Sequence, residues 1–367
     1  MHLHVVGLPH TQTIAADNQC AFTALARMFA TMMHREGHAV TLYAGDQNEA
    51  ECDELVTIMP KYEQDVIFGE QDWYKNHEVM YLDYDHAQPY WPLFCFRALA
   101  EIQSRLSEND IVCLPAGHSM HWLIDPLAAQ GVIVCEFEAG YSGIHAPYVV
   151  YPSYAWRATV QGHWQGAATA DGKFTDTVIP HYAEAVNHPA GEGDIEDYFL
   201  CLSRMNERKG YHISAQATRE IGSELIVGGV GGDRPEQYDH ITYAGFLGPA
   251  ERAELLGKAR ALFCPTLYLE AFGLVVIEAM MCGTPVITTD WGSFPEIVRQ
   301  GVDGFRCVSM REFIDAAMAV DGLDRGEIRA HALANYSTEA IGPRYTRYFE
   351  RILDRDGFYA GTNAKPV

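Results

Sequence analysis

The chain is short of basic residues. Its 367 residues include 26 Lys and Arg against 49 Asp and Glu, for a formal net charge of −23. Affinity for nucleic-acid backbones and for anionic lipid comes largely from Lys and Arg. The composition therefore argues against an extended nucleic-acid face and against docking on an anionic membrane. The deficit is larger in residues 1–185, with 8 basic and 23 acidic residues, than in residues 186–367, with 18 and 26.

Long hydrophobic runs and paired cysteines are also missing. No apolar run reaches the ~18 residues that a membrane-spanning helix needs. The chain opens on a strand-like segment, without the basic and long apolar regions of a signal peptide. The nine cysteines are scattered and contain no C-x-x-C pair, which argues against a disulfide framework or a structural zinc site. We expect reduced, mostly buried thiols and a cytoplasmic protein.

Short apolar runs alternate with amphipathic stretches, which predicts an α/β fold with parallel sheets. One such stretch, residues 21–35, repeats apolar side chains at helical spacing. The chain length indicates two domains. The predicted strands are Leu3–Val6, Val40–Tyr43, Val79–Leu82, Ile111–Leu114, Val132–Cys135, Tyr198–Cys201, Glu224–Val227, Ile241–Tyr243, Ala261–Cys264 and Pro285–Thr288.

The clearest break in this alternation is the segment 187–194, which is polar and rich in turn-forming residues. It predicts a linker between an N-terminal domain, residues 1–186, and a C-terminal domain, residues 195–336. We predict two doubly wound Rossmann-like domains facing each other across a cleft, with ligands at the carboxyl ends of the strands. Residues 61–96 fit the alternation poorly, and their many aromatic side chains predict an irregular lobe.

One segment, residues 265–306, carries the most informative pattern. A predicted strand ends at Cys264, a loop with Glu270 follows, and a helix begins near Phe272–Leu274. The first-turn amides of such a helix, together with its dipole, attract an anion. Gly273 lets a phosphate group approach the backbone closely. The pattern predicts a phosphate site at the start of this helix.

Two glutamates flank this predicted site. Glu278 lies six residues beyond Phe272, which is about 9 Å along a helix axis and matches the separation of a diphosphate from a ribose diol. A carboxylate accepts hydrogen bonds from both ribose hydroxyls. Glu270 precedes the helix, on the side where a sugar can be held by its hydroxyls. We therefore predict that sugar, diphosphate and ribose bind in this order along the loop and helix.

The setting of these glutamates resembles the E-x7-E signature of the retaining family 4 glycosyltransferases of the GT-B fold, the glycosyl transferases group 1. The similarity continues upstream at Arg204 and Lys209, where the family has an Arg and a Lys, five residues apart, that bind the donor diphosphate. Two stretches between residues 292 and 305 resemble the family's closing motifs. One departure is Ala271, where the family usually has Pro. The similarity covers most of residues 195–310.

The resemblance implies a transferase that moves a hexosyl or pentosyl group from a nucleoside-diphosphate sugar to a hydroxyl acceptor with retention of configuration. The C-terminal domain then binds the donor and the N-terminal domain the acceptor, and a helix within residues 337–356 crosses back to the N-terminal domain. No metal or other cofactor is expected. The implied catalytic residues are Glu270, Arg204, Lys209 and His118, and the implied donor-binding residues are Glu278, Phe272, Gly273, Leu274, Gly228, Gly245, Gly7 and His10.

The resemblance is weaker in the N-terminal domain. Gly7 and His10 lie in the loop after the first strand, but the Gly-Gly pair usual in the family is missing. His118 follows the strand Ile111–Leu114, where related enzymes often have a histidine that touches the transferred sugar. His121 lies three residues further on and suggests a metal pair with His118. The sequence shows no clear third ligand, so we predict no metal site.

Several alternatives stay open from the sequence. The pattern also fits a GT-B epimerase or phosphorylase, or a sugar-nucleotide-binding protein that has lost transfer activity and acts by recruitment. The acceptor class is open among saccharides, lipid-linked sugars and small molecules, while the acidic first half argues against a nucleic-acid acceptor. Gly228 opens a glycine run that is either a flexible turn or a close approach to the nucleotide base. Glu136 and Glu138 flank a strand end that faces the expected cleft.

Overall fold

The computed structural model describes residues 1–15, 20–69, 82–165, 173–191, 195–231 and 238–354. Within them, the strands form two sheets in which every neighbouring pair is parallel. The N-terminal sheet has the order β3-β2-β1-β4-β5-β6-β7, with β1 His2–Val6, β2 Ala39–Ala44, β3 Glu54–Thr57, β4 Ile111–Leu114, β5 Ile133–Glu136, β6 Tyr148–Tyr151 and β7 Thr177–Val178. The C-terminal sheet has the order β10-β9-β8-β11-β12-β13, with β8 Tyr198–Leu202, β9 Glu224–Gly228, β10 Ile241–Gly245, β11 Leu262–Cys264, β12 Val286–Thr289 and β13 Gly304–Cys307.

Helices cover both faces of each sheet, which is why central strands such as β4 are fully buried and apolar along their whole length. Separate apolar cores lie on the two faces of the N-terminal sheet and on the two faces of the C-terminal sheet. The helices are α1 Ala21–Arg35, α2 Lys61–Phe68, α3 Tyr90–Arg105, α4 His121–Ala129, α5 Tyr154–Gln165, α6 Tyr211–Ile221, α7 Pro249–Lys258, α8 Leu274–Met281, α9 Phe294–Ile297, α10 Met310–Ala319, α11 Arg325–Tyr336 and α12 Thr338–Leu353. The prediction of two doubly wound Rossmann-like domains is confirmed.

The last helix, α12, returns to the N-terminal sheet. Its N-cap Ser337 accepts a hydrogen bond from the Ala340 amide, and its apolar face joins the core between β1, β2 and α1. There the rings of Tyr345 and Phe29 meet edge to face, with centroids 5.1 Å apart. Helix α12 therefore ties the two domains together by hydrophobic packing.

The predicted strands and the observed ones differ in a few places. Residues 79–81 of the predicted strand Val79–Leu82 lie outside the described residues, and Leu82 belongs to no strand. Sequence reasoning missed β3, β6, β7 and β13. These strands have two to four residues, and several carry polar side chains, so the hydrophobic pattern that identifies a buried strand is weak there. Of the linker, residues 192–194 are not described, and Gly191 donates to the Cys282 carbonyl of the C-terminal domain.

All nine cysteines carry free thiols, and seven of them are buried, as the sequence predicts. Burial raises the pKa of Cys95, Cys113 and Cys201, among others. In the described part of the chain, no helix has the length and apolar character that a membrane crossing requires.

Candidate active site

A cavity of about 870 Å³ lies between the two domains. The N-terminal domain contributes the start of α1 and residues 82–84 to its wall. The C-terminal domain contributes the ends of β8 and β9 and the first half of α8, and residues 182–188 close one side. Both sheets thus direct the carboxyl ends of central strands at one cleft, where doubly wound folds bind ligands.

Helix α8 begins on this wall, where Leu274 and Val275 line the cavity. Its N-cap, Gly273, has φ 98° and ψ 68°. An added Cβ there would lie 2.9 Å from Cε1 of Phe294, so both the backbone angle and the space require glycine. The first-turn amides of an α-helix have no partner within the helix, and in α8 this turn faces the cavity. The arrangement favours an anion at this point.

Glu278 lies one turn further along α8 and also lines the cavity. Its side chain is 12% exposed and its Oε1 lies 3.3 Å from Nη2 of Arg252 and 4.0 Å from Nε2 of His188. Both partners also line the cavity. Sequence reasoning missed Arg252 and His188, because they come from α7 and from the linker and share no motif with α8. Arg252 donates a hydrogen bond to the carboxylate, and the His188 ring lies beside it.

Lys209 and Glu270 form an ion pair, with Nζ and Oε2 2.6 Å apart. Lys209 ends a short 3-10 turn, and Glu270 lies in the loop after β11; the two side chains are 20% and 15% exposed. Burial disfavours the charged form of Lys209, but Glu270 together with Cys264 and Tyr268 outweighs this effect, so the pKa of Lys209 is raised. The ring of Tyr268 lies beside the ammonium group, 4.9 Å from Nζ to the centroid. Neither side chain is among the residues that line the cavity.

Arg204 follows β8, is exposed and lines the cavity. Four residues later, Arg208 is exposed as well, with its guanidinium 4.8 Å from the Tyr268 ring centroid. The C-terminal domain thus gathers several cations near α8, although the chain as a whole is acidic.

The loop before α8 also contacts the N-terminal domain directly. The Ser153 hydroxyl donates to the Ala271 carbonyl at 2.8 Å. The carboxylate of Glu296 accepts from the amides of Tyr154 and Ala155, both at 2.8 Å. A carboxylate from one domain therefore caps the first turn of α5 in the other. These contacts hold the Glu270 loop against the facing domain.

The remaining donor-binding residues fall into two groups. Gly228 and His10 line the cavity, and His10 is 4% exposed, with a pKa lowered to about 3 by burial. Gly7, Gly245 and Phe272 do not line it. Phe272 is buried and its ring lies against that of His181, with centroids 5.1 Å apart. Its position is that of a packing residue between the domains.

Glu136 and Glu138 are both buried, and neither lines the cavity. The Glu136 carboxylate accepts from the Tyr141 hydroxyl and from the His145 and Ala146 amides, which makes it the anchor of the loop after β5. Glu138 has φ 54°. Burial raises its pKa to about 8, and the Tyr182 hydroxyl only partly offsets this.

His118 also lies off the cavity wall. It belongs to a group of four imidazoles, His86, His118, His121 and His145, which we call the histidine cluster. Partial burial and the neighbouring histidines lower the pKa of His118. His86 is the third imidazole that the sequence did not reveal, because it lies 32 positions before His118 in a segment without a motif.

Residues 196–320 match the family model described as Glycosyl transferases group 1. This range runs from β8 to the end of α10, so the C-terminal sheet and the Lys209, Glu270 and Glu278 side chains lie within the matched residues. A curated relative, D-inositol 3-phosphate glycosyltransferase from Mycobacterium marinum, is 40% identical over 87 residues. The aligned part is 23% of this chain and 18% of that protein.

Several solved structures match almost the whole chain, and two of them illustrate the likeness. Sucrose-phosphate synthase from Thermosynechococcus elongatus has a TM-score of 0.69 at 15% identity, over 97% of this chain and all of that one. AviGT4, a glycosyltransferase involved in avilamycin A biosynthesis, has a TM-score of 0.66 at 20% identity, over 96% and 98%. At these identities the likeness concerns the fold, which is GT-B.

Proposed function

We propose that the protein is a glycosyltransferase that binds a nucleoside-diphosphate sugar in the interdomain cavity and transfers the sugar to a hydroxyl acceptor. The observation that carries this proposal is the grouping of Arg204, Glu278 and the first turn of α8 on one wall. The cation and the first turn of α8 suit a diphosphate, and the carboxylate one turn further along α8 suits a ribose. The family match of residues 196–320 supports the same activity.

We assign the diphosphate to the first turn of α8, with Arg204 and Lys209 as its cations. Departure of the sugar leaves additional negative charge on the diphosphate. A helix N-terminus alone contributes only about half a unit of positive charge. Two cations are therefore needed, and fixed charges of this kind usually supply the largest part of transition-state stabilisation.

The two glutamates bind the two sugars that flank the diphosphate, the ribose and the transferred sugar. Glu278 accepts hydrogen bonds from the ribose hydroxyls, while Arg252 fixes its carboxylate and the His188 ring lies nearby. Glu270 binds the transferred sugar: its Oε2 is engaged by Lys209, and we assign its Oε1 to a sugar hydroxyl. In this arrangement Lys209 lies between the sugar-binding carboxylate and the diphosphate, so that its ammonium group interacts with both.

The acceptor binds on the N-terminal domain in this proposal. It attacks the face that the phosphate leaves, with a phosphate oxygen as base, so that configuration is retained; this step rests on the resemblance of the E-x7-E segment. No metal is required, because Arg204 and Lys209 neutralise the leaving group. The contacts of Ser153 and Glu296 keep the Glu270 loop closed on the N-terminal domain, which limits water access to the sugar.

A panel of sugar nucleotides with different bases and sugars tests the donor. Thermal unfolding is measured with each compound, since a ligand at 100 times its Kd stabilises the folded state by about 2.7 kcal/mol. Release of the nucleoside diphosphate is then followed with saccharide, lipid-linked and small-molecule acceptors. Relatives named for D-inositol 3-phosphate and sucrose phosphate argue for including phosphorylated polyols and sugars.

Product analysis separates this function from its alternatives. A transferase forms a glycoside whose anomeric configuration, read by NMR, equals that of the donor. An epimerase converts the donor without an acceptor, and a phosphorylase requires inorganic phosphate. Stabilisation by a donor without turnover under any acceptor would identify a binding protein. If no sugar nucleotide raises the unfolding temperature, the donor-site assignment is wrong.

A further inference from the structure

Two groups of side chains among the described residues have the composition of a metal site. In the first, His2, His4 and Asp110, every imidazole nitrogen already has a hydrogen-bond partner: Thr41 and Tyr43 take one each, and Asp110 takes the other two. This group lies at the amino end of β1 and forms a satisfied polar network. The second is the histidine cluster, in which His118 and His121 lie just beyond the carboxyl end of β4.

In the histidine cluster, the ligand atoms of His86, His118 and His121 all lie within 4.8 Å of one another. Their ring centroids are 4.7, 4.8 and 5.3 Å apart. His145 lies beside them, with its Nδ1 3.4 Å from Nδ1 of His118. Two nitrogens bound to one tetrahedral zinc at about 2.05 Å lie about 3.3 Å apart. The His118–His145 distance matches this value, and the 4.8 Å limit for the other ligand atoms allows small ring movements to close them around one cation.

The rings are also oriented as metal ligands are. His121 donates its Nδ1–H to the His118 carbonyl at 3.1 Å, which leaves Nε2 with the free lone pair. The Nε2 of His145 lies 2.7 Å from Oδ1 of Asp125, which leaves Nδ1, the atom that faces His118, as the acceptor. Ligating histidines usually donate their other N–H to a carbonyl or a carboxylate in this way.

The surroundings favour a cation as well. Asp125 borders the cluster at His145, and Oδ1 of Asp85 lies 3.8 Å from Nδ1 of His86. His118 is exposed and His86 and His121 are partly exposed, so a metal ion reaches the site from solvent. Several neutral imidazoles with oxygen neighbours and no thiolate suit Zn²⁺ and its transition-metal neighbours better than Mg²⁺ or Ca²⁺.

We propose that the histidine cluster binds one Zn²⁺ through His86, His118 and His121, with His145 as the adjacent fourth nitrogen. His118 then serves as a ligand instead of contacting the sugar. The site joins the loop that contains His86 to the 3-10 turn Gly117–Met120, where the Ser119 hydroxyl already donates to the Tyr84 carbonyl. Since residues 82–84 line the cavity, the metal fixes part of the N-terminal wall. The proposal does not depend on sugar transfer.

The test uses the untagged full-length chain after removal of metal with a chelator. Zn²⁺ is titrated in competition with a chromophoric chelator, and we expect one ion per chain. His86→Ala, His118→Ala and His121→Ala should each weaken binding at least about tenfold. His212→Ala, which removes an exposed histidine of α6 in the other domain, should bind as the unmodified chain does. Co²⁺ in place of Zn²⁺ should show the intense visible absorption of tetrahedral coordination.

A second measurement addresses the loop. Hydrogen exchange of residues 82–91 should slow when Zn²⁺ is added to the unmodified chain, and should not change in His86→Gln. Circular dichroism verifies that each variant is folded. If His118→Ala does not fold, the Zn²⁺ affinity of His86→Gln, a substitution on a loop, tests whether the histidine cluster binds the metal. Binding that is equally tight in His86→Gln and His212→Ala, or an octahedral Co²⁺ spectrum with no protection of the loop, would overturn the proposal.

Discussion

The two domains share one architecture but build their sides of the cavity in different ways. In the C-terminal domain, the first turn of α8 and Glu278 are neighbours in sequence, and one strand–loop–helix unit brings them to the wall. In the N-terminal domain, the wall comes from α1 and from residues 82–84, more than 40 positions apart. A local unit leaves a readable pattern, whereas a wall assembled from distant segments does not.

The domains also differ in charge at the cleft. The N-terminal half carries most of the net negative charge of the chain, while Arg204, Lys209 and Arg252 gather around α8 in the C-terminal half. Each of the last two is paired with a glutamate. An anionic ligand is thus expected on the C-terminal side, and the variants below test whether function follows this division.

The largest expected effect comes from Glu270→Gln. The variant keeps the shape of the side chain but loses the charge that pairs with Lys209 and weakens the proposed contact to the sugar. We expect turnover to fall by about 100-fold or more, measured as release of nucleoside diphosphate at saturating donor. Glu254→Gln, an exposed glutamate of α7 paired with Lys258, is the matched control. Equal rates for the two variants would contradict the role of Glu270.

The double variant Arg204→Ala/Lys209→Ala should weaken binding of a nucleoside diphosphate by about 10- to 100-fold, because it removes two charge-assisted contacts to phosphate. Isothermal titration calorimetry measures the affinity directly. The control is Arg208→Ala, an exposed neighbouring cation to which we assign no contact with the diphosphate. An unchanged affinity in the double variant would place the diphosphate elsewhere.

Glu138→Gln tests the electrostatics of the N-terminal domain. Burial raises the pKa of Glu138 from 4.5 to about 8, so between these values the folded chain holds a proton that the unfolded chain has lost. Stability therefore falls as pH rises through this window. The Gln variant lacks this dependence. We therefore expect its free energy of unfolding to exceed that of the unmodified chain by roughly 1–3 kcal/mol at pH 8.5 but not at pH 4.5. Urea unfolding of both proteins at the two pH values measures this difference. If the stability of the two proteins changes with pH in the same way, Glu138 does not have the raised pKa assigned to it.

The smallest expected effect is a stability difference between two Gly→Ala variants, which distinguishes steric crowding from backbone strain. Gly273→Ala adds a Cβ 2.9 Å from Phe294 at φ 98°, whereas Gly37→Ala adds one with no atom within 4 Å at φ 86°. Backbone strain should destabilise both variants by about 1 kcal/mol. Crowding against Phe294 should destabilise Gly273→Ala by roughly a further 1–2 kcal/mol. Thermal unfolding of the two variants gives the difference. Equal destabilisation would mean that the Phe294 ring moves aside freely.

Much of the fold was predictable from the sequence, because buried parallel strands such as Ile111–Leu114 are continuous apolar runs and α1 repeats its apolar positions with helical period. The strands that were missed are short or polar, as in β13, which includes Arg306. Their place in the sheet depends on pairing with a neighbour rather than on their own composition.

The sequence by itself determined the two-domain α/β architecture and the strand–loop–helix unit around α8, since both depend on patterns within about 30 residues. Only the tertiary structure decided that Lys209 pairs with Glu270, that Arg252 pairs with Glu278, and that His86 completes the histidine cluster. Such contacts join residues far apart in the chain. Their distances are set by how helices and loops pack on the two sheets, and no local spacing records that packing.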